Sequence, residues 1–422
     1  MPIPPPHPRR FAWASRNFRI QTAATVISGL GNAGAPIATA FAVLGAGGTT
    51  TEVGYVTAAR LVPTVLLMVV GGTLADRLPR HLIMVGANVF SGLSQAVLAA
   101  LVLAGDVPLW QLLVLSAAGG AGYALYAPAS GGMIMQAVPQ EHAARAFAVF
   151  RMGLNASQIG GAALGGALTA VVGPGWVLAL DALCFLVAAA LRFFLEPERA
   201  PVPSSGGMLR DLREGWREFA SRRWLWVIVL QFSVLLACVN AVEAVYGPTA
   251  AKERLGGAGA WGLAMSAYGV GLVAAGVLMT RWRPRRILLV GNWGVFLFGV
   301  PALALAAEVA LPLLVVAMFL SGVGVTVFGV NWMVALRQEI PEEMFSRVTA
   351  YDELGSYSLA PVGTALAGPA AVVLGLSGAL WACAAACLLL SVAVLVDPQV
   401  RRLSRRSATG APVPAPEPTP AT

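Results

Sequence analysis

Apolar runs long enough to cross a bilayer recur along the chain, separated by short polar punctuation. A helix needs about 20 apolar residues to span the hydrocarbon core. Runs of that kind begin near Ile20, Val53, Leu82, Leu109, Ala146 and Val177, and a second set begins near Leu225, Trp261, Ile287, Leu311, Val348 and Ser377. The pattern predicts an all-α membrane protein of twelve transmembrane helices in two six-helix bundles. Boundaries are softest in the Gly-rich stretches near Gly120 and Gly160, whose small residues suit helices packed closely together. The chain divides into an N-terminal cytoplasmic segment (1–18), a first bundle (19–195), a linker (196–223), a second bundle (224–397) and a disordered cytoplasmic tail (398–422).

Charge placement sets the orientation. With both termini inside, the basic residues fall in inner segments or at inner span ends, except Lys252 and Arg254 outside and Arg60 within a span. That bias predicts a multi-pass protein of a bacterial plasma (inner) membrane with cytoplasmic N- and C-termini. In the linker, Leu209, Leu212, Trp216 and Phe219 share one helical face while charges fill the other, which predicts a helix lying on the cytoplasmic membrane surface. The tail after Arg406 is rich in Pro, Ala and Thr, a composition that cannot build a core. Met1 to Pro8 is Pro-rich, and the apolar run beyond it is far longer than a signal-peptide core, so no cleavable leader is expected.

Composition agrees with lipid as the main solvent. Hydrophobic residues make up 57% of the 422 and charged residues 11%, with a mean hydropathy of +0.74. Soluble domains carry about 25% charged residues, too many more for this chain to clothe a water-facing surface. The net charge of +8 would suit nucleic acid, but the basic residues punctuate apolar runs instead of forming a stripe, which excludes that partner. Arginine outnumbers lysine 27 to 1, a usage in keeping with a GC-rich bacterial genome. Cys184, Cys238, Cys383 and Cys387 lie in apolar runs and read as small buried hydrophobes. His7, His81 and His142 do not cluster, so no metal site or cofactor is expected. Nothing resembles a nucleophile–base pair or a phosphate loop, so the chain is not expected to be an enzyme.

The halves repeat. At an offset of 202, Gly120, Gly122, Gln136, Pro139, Glu141, Arg145 and Gly161 match Gly322, Gly324, Gln338, Pro341, Glu343, Arg347 and Gly363. At 204, Gly72, Leu74 and Arg77 match Gly276, Leu278 and Arg281. Shared Gly usage can arise by convergence, but Gln, Pro, Glu and Arg in one register are harder to place by chance. Duplicated halves are an architecture of transporters that work by alternating access.

After the second span stand Gly72, Leu74, Asp76, Arg77 and Arg80. This stretch resembles the major facilitator superfamily loop signature, departing from it at Pro79 and His81. The resemblance implies the major facilitator fold and a cytoplasmic latch built from Gly72, Asp76, Arg77, Arg80, Arg145 and Arg347. Asp76 would meet the positive N-terminal end of a helix in the opposite half, and the arginines would pair with acids there. A bare topology signal is the simpler use of the same charges. Gly160, Gly161, Gly165 and Gly166 are similar to an antiporter signature, with Ala162 where Pro is expected; ordinary helix packing explains them equally well. Stretches around Val138, Trp176 and Arg337 look like the enterobactin-exporter and macrolide-efflux-like branch. That branch implies export of a small organic molecule.

Charges inside spans are expensive, about 2.5–3.5 kcal/mol each on an insertion scale, and invite functional readings. Glu243 is the first candidate for proton coupling and Asp181 the second, although Glu243 also reads as a residue of the outer mouth. Arg60 reads as a partner for an acid or an anionic group, or as a snorkelling side chain. By the same resemblance, Asn32 stands where many members of the family look to have Asp, which leaves the coupling acid open. Arg151 is the repeat-equivalent of Glu353, an opposite-charge pair suited to a gate, and Asp352 and Glu353 lie near a cytoplasmic end. Tyr123, Tyr126, Asn240, Asn331 and Trp332 are candidate cavity residues, and helix packing explains each as well. The expected partners are a small-molecule substrate, protons and the bilayer, in a monomeric protein. An uptake or facilitated-diffusion carrier is the rival within transport; a non-transporting sensor or scaffold is the rival outside it.

Overall fold

A computed structural model describes residues 15–75, 78–105, 107–136, 138, 142–196 and 208–405. Among these residues the structure is helical apart from turns, short connections and one isolated antiparallel bridge between Arg286 and Ser404. The first half holds α1 (Arg16–Gly45), α2 (Thr50–Ala75), α3 (Arg80–Ala104), α4 (Leu109–Gln136), α5 (Ala143–Val171) and α6 (Pro174–Phe193). The linker contains α7 (Met208–Ser221). The second half opens with α8 (Arg223–Ala241), which continues through a π-helical turn at Val242–Tyr246, α9 (Gly247–Ala250) and a second π-helical turn at Ala251–Leu255. There follow α10 (Ala258–Arg281), α11 (Ile287–Phe296), a 3₁₀ turn, α12 (Val300–Ala306), α13 (Leu311–Glu339), α14 (Glu342–Tyr357), α15 (Ala360–Leu395) and α16 (Pro398–Arg402).

Nine helical stretches among the described residues are long and apolar enough to cross a membrane. Helices α2 and α5, of 26 and 29 residues, fall outside those nine. The last of the nine runs 49 residues from Arg347 to Leu395, but it is not one rod. Gly375 breaks it with φ 72° and ψ 159°, a conformation open in practice only to glycine.

The polarity of the helices is turned inside out. Val171, Val372 and Val373 are each at least 80% exposed, while Gln21, Asn88, Gln95, Asp181 and Arg192 in the first half are buried, as are Gln231, Asn292 and Asn331 in the second. Water would reverse that sorting; hydrocarbon around the helices accounts for it.

Residue contacts divide the chain into Met1–Ser204 with Gly256–Leu263 and Ser205–Leu255 with Ala264–Thr422. The glycines shared by the two halves serve the same packing purpose in each. A Cβ on Gly120 of α4 would overlap the Arg60 carbonyl of α2, and one on Gly322 of α13 would overlap the Tyr268 carbonyl of α10. Two residues on, at about 200° round the helix, Gly122 faces Ser91 of α3 and Gly324 faces the Gly294 carbonyl of α11. Missing side chains let backbones approach on two sides of the same helix, which is how helices associate where no hydrophobic force drives them together. The Gly160–Gly166 run does similar work: Gly161 and Gly165 lie against Leu30 and Gly34 of α1, while Gly160 meets nothing.

Two expectations need correcting. The tail expected to be disordered from residue 398 is ordered through 405. Asp397 caps α16 by accepting from the Gln399 N–H at 2.8 Å, Val400 is fully buried, and the Arg405 N–H donates to the Arg285 carbonyl at 2.7 Å. The linker helix forms as expected, but part of its apolar face meets protein. Phe219 is buried, and Trp216 and Phe219 pack on Tyr351 of α14 at 5.5 and 6.1 Å between ring centroids. Residues 1–14 and 406–422 of the expected terminal segments lie outside the described residues.

Gly120→Val should destabilise the protein by roughly 1–3 kcal/mol or more, because two backbones must separate. Gly86→Ala, with open space at its Cβ, should melt within a degree or so of the parent. Thermal melts of the purified proteins in detergent check the contrast; equal melting would remove the packing argument.

Candidate functional site

Most of the expected latch cannot be located. Asp76 and Arg77 lie outside the described residues, as does the side chain of Arg145 on α5, and Gly72 is placed only as backbone near the end of α2. Arg80 opens α3 and is half-buried. Arg347 of α14 donates to Glu214 of the linker helix at 2.9 Å, and Gly215 is so close that a Cβ there would lie 2.8 Å from that of Arg347. Arg347 thus bonds α14 to the linker helix within the second half.

In the first half, two expected residues meet directly. Arg60 of α2 donates to the Asn32 side-chain oxygen of α1 at 2.5 Å. One residue earlier, Gly31 abuts Asp181 of α6; a Cβ at Gly31 would sit 2.6 Å from Asp181 Oδ1. Asp181 is fully buried and accepts from Gln95 of α3 at 2.6 Å through Oδ2, while Oδ1 has no hydrogen-bond partner among the described residues. Arg60 is near enough for its charge to act on Asp181, yet its hydrogen bond goes to the amide. Glycine at 31 gives the carboxyl its room, and Gln95 and Asn32 hold the two charges without joining them.

A second polar cluster was not anticipated. Arg192, read from sequence as an inner topology charge, is fully buried in the last turn of α6. Its Nε donates to Gln21 at 3.0 Å, and its Nη2 donates to Thr25 at 2.9 Å and to Tyr126 at 2.8 Å. Its guanidinium carbon sits 4.7 Å from the centre of the Tyr126 ring, in cation–π range. Gln21 donates in turn to Ser130 at 2.9 Å, and Ser130 donates to the Tyr126 oxygen at 3.1 Å. The sequence did hold a signal: Gln21 and Thr25, and Tyr126 and Ser130, are both i, i+4 pairs and so share a helix face inside apolar runs. Tyr123, the other expected tyrosine, is 45% exposed.

In the second half, Glu243 lies in the first π-helical turn, half-buried, with no hydrogen bond or ion pair among the described residues. The turn has a local cause. Pro248 offers no N–H, and the Gly247 N–H bonds instead to the Val242 carbonyl, five residues back. Asn240 donates to its own helix at the Leu236 carbonyl, and Tyr246 is pinned to the Ala367 carbonyl at 2.9 Å. Asn331 is fully buried and donates to the Val327 carbonyl. Trp332 is buried, stacks on Phe328, and donates from its indole to Asp352 at 2.8 Å. Asn331, Trp332 and Asp352 are thus packed inside the bundle. Glu353 and Arg151 are exposed on α14 and α5.

Packing should hold the linker helix more firmly than its ion pair. Arg347 and Glu214 are 31% and 41% exposed, a setting in which a pair contributes about 0–1 kcal/mol. Glu214→Gln should leave proteolytic sensitivity of the linker nearly unchanged, whereas Gly215→Leu should raise it clearly. Limited proteolysis with Trp216 fluorescence reads both, and the reverse order would refute the ranking.

A family described as transmembrane secretion effectors matches residues 11–419. The uncharacterized MFS-type transporter YfiS of Bacillus subtilis (strain 168) is 26% identical over 364 residues, covering 82% of this chain and 84% of that protein. Among solved structures, a POT peptide transporter superposes with a TM-score of 0.74 at 14% identity, covering 94% of this chain and 97% of that one. The nucleoside transporter NupG superposes with a TM-score of 0.70 at 12% identity, covering 90% and 98%. At such identities the structures speak for the fold. With a family match across nearly its whole length, the chain belongs to the transmembrane secretion effectors among the major facilitator (MFS-type) membrane transporters.

Proposed function

We propose that the protein is a secondary active transporter that exports a small organic molecule, such as a drug, siderophore or natural product, in exchange for protons. It would cross a bacterial plasma membrane twelve times as a monomer with both termini inside. Nine apolar stretches, helices α2 and α5, and a division of the last stretch at Gly375 support that count. The basic residues at inner span ends support the orientation.

One observation carries the coupling. Each half holds an acid within a span and outside any ion pair: Asp181, bonded only to the neutral Gln95, and Glu243, bonded to nothing among the described residues. A carboxyl so placed is stable in apolar surroundings when protonated and gives up its proton when water reaches it. Alternating exposure of such a group to the two sides is what exchange against protons requires. A release of Asp181 would also leave its negative charge facing Arg60, whose hydrogen bond to Asn32 is neutral. The π-helical setting of Glu243 supports the same reading, since π turns recur at functional sites.

A second reading, uptake or facilitated diffusion, draws on Asn32, an amide where an acid would serve coupling, and on Ala162 within the glycine run.

Reconstituted vesicles with an imposed pH gradient and a panel of candidate solutes provide the test. Glu243→Gln and Asp181→Asn should each bring gradient-driven transport down to the rate without a gradient, while exchange of solute for solute persists. Transport indifferent to the gradient in the parent would defeat proton exchange, and undiminished coupling in both variants would defeat these two assignments. For the latch, Asp76→Asn should increase labelling of cysteines introduced on the cytoplasmic side; unchanged labelling would show that Asp76 does not hold that side closed.

A further inference from the structure

The cluster around Arg192 has more donors than acceptors. The Tyr126 oxygen accepts from Arg192 and from Ser130, Ser130 accepts from Gln21, and the Gln21 carbonyl accepts from Arg192 Nε. The Thr25 hydroxyl accepts from Arg192 and lies 3.0 Å from the Tyr126 oxygen, so one proton fills that gap. Thr25 and Tyr126 bring two hydroxyl protons, and the second has no acceptor among the described residues. The two N–H groups of Arg192 Nη1 are likewise without an acceptor among the described residues. No carboxylate among the described residues pairs with this guanidinium, a group that carries a positive charge. The C-terminal end of α6 offsets only roughly half an elementary charge. A closed set of neutral partners, one buried cation and three unspent donor hydrogens form the complement of an anion.

The bundle does not need this cluster in order to pack. At the repeat offset of 202, Tyr126 and Ser130 correspond to Phe328 and Trp332. There the same positions of α13 are filled by stacked rings 5.7 Å apart, and Trp224 meets Trp332 edge to face. The second half therefore fills these positions with rings, one of which donates its indole N–H to Asp352. The first half has hydroxyls beside a buried arginine there, at the end where α1 and α3 begin and α4 and α6 finish.

We propose that Arg192, with Thr25, Tyr126, Gln21 and Ser130, binds a compact monoanion, either a halide or the carboxylate of an organic solute. Both sources share the chemistry the cluster asks for: one negative charge, small size and acceptor lone pairs only. Bound anion would accept from Arg192 Nη1 and from the spare hydroxyl, and would neutralise the charge in the interior. The site shares no residue with the coupling acids Asp181 and Glu243, and it requires neither export nor proton exchange to be correct.

The full chain in lipid nanodiscs, melted while tryptophan fluorescence is followed, tests the site at constant ionic strength. A bulky sulfonate serves as reference anion against chloride, acetate and benzoate. The parent should show a saturable rise of several degrees with chloride, with the carboxylates, or with both. Chloride alone would identify an inorganic ligand, and carboxylates alone an organic one. Thr25→Val should raise the half-saturating concentration roughly tenfold, the weight of one charge-assisted hydrogen bond. Gln21→Glu, which supplies an internal carboxylate, should melt in the reference buffer as high as the anion-loaded parent and should respond to no anion. Arg192→Gln should also lose the response; if it does not fold, the two milder variants carry the test. Identical melting of the parent in every anion overturns the proposal, as does an anion response that survives in both Thr25→Val and Gln21→Glu.

Discussion

Hydrocarbon offers no hydrogen bonds, and the rest of this structure depends on that fact. Each polar group placed within a span must find its partner in the protein, on its own helix or on another, since neither lipid nor bulk water will serve. Helices that face lipid gain little from hydrophobic contact with one another, so close backbone approach has to replace it. Gly120, Gly122, Gly322 and Gly324 supply that approach, and because their contacts bring helices into fixed register they also decide which polar side chains can meet. Gln95 of α3 reaches Asp181 of α6, and Arg60 of α2 reaches Asn32 of α1, each a bond between neighbouring helices.

Within that shared scaffold the halves have diverged in what they bury. The first keeps charges and hydroxyls: Arg60, Asp181 and Arg192, each held by neutral partners. The second buries an amide relay, with Gln231 donating to Asn292 and Asn292 to the Ser391 carbonyl, beside a stack formed by Phe232, Phe328 and Trp332. A duplicated fold can divide labour in this manner. Packing contacts are held by the repeated glycines, which leaves the intervening positions of each half open to separate uses.

Much of the fold was legible because hydropathy is a local property. The apolar runs at Leu82, Leu109 and Ile287 begin within a few residues of α3, α4 and α11, and the repeat glycines fall at equivalent contacts. The sites were less legible because partners lie far apart in sequence. Nothing near Asp181 announces Gln95, 86 positions away. Arg192 looked like any arginine at an inner helix end, because hydropathy counts a residue without saying which side of the helix carries it. Arg347 was placed in the latch by the family resemblance, and nothing near it in the sequence announces its partner Glu214, 133 positions away. The linker helix showed its apolar stripe plainly; whether lipid or Tyr351 would cover Trp216 and Phe219 was a tertiary question.

The two π-helical turns on either side of Gly247–Ala250 have a geometric consequence for the span that carries Glu243. Each wide turn holds one residue more than an α-turn. Migration of a bulge past a single position re-registers only the residue it passes, which turns by about 100° about the helix axis while the helix on either side keeps its place. Tyr246 on Ala367 and Arg254 on Glu308 hold the stretch that follows Glu243. A carboxyl set in such a bulge can swivel by a shuffle of backbone hydrogen bonds, with no tilt of the whole helix.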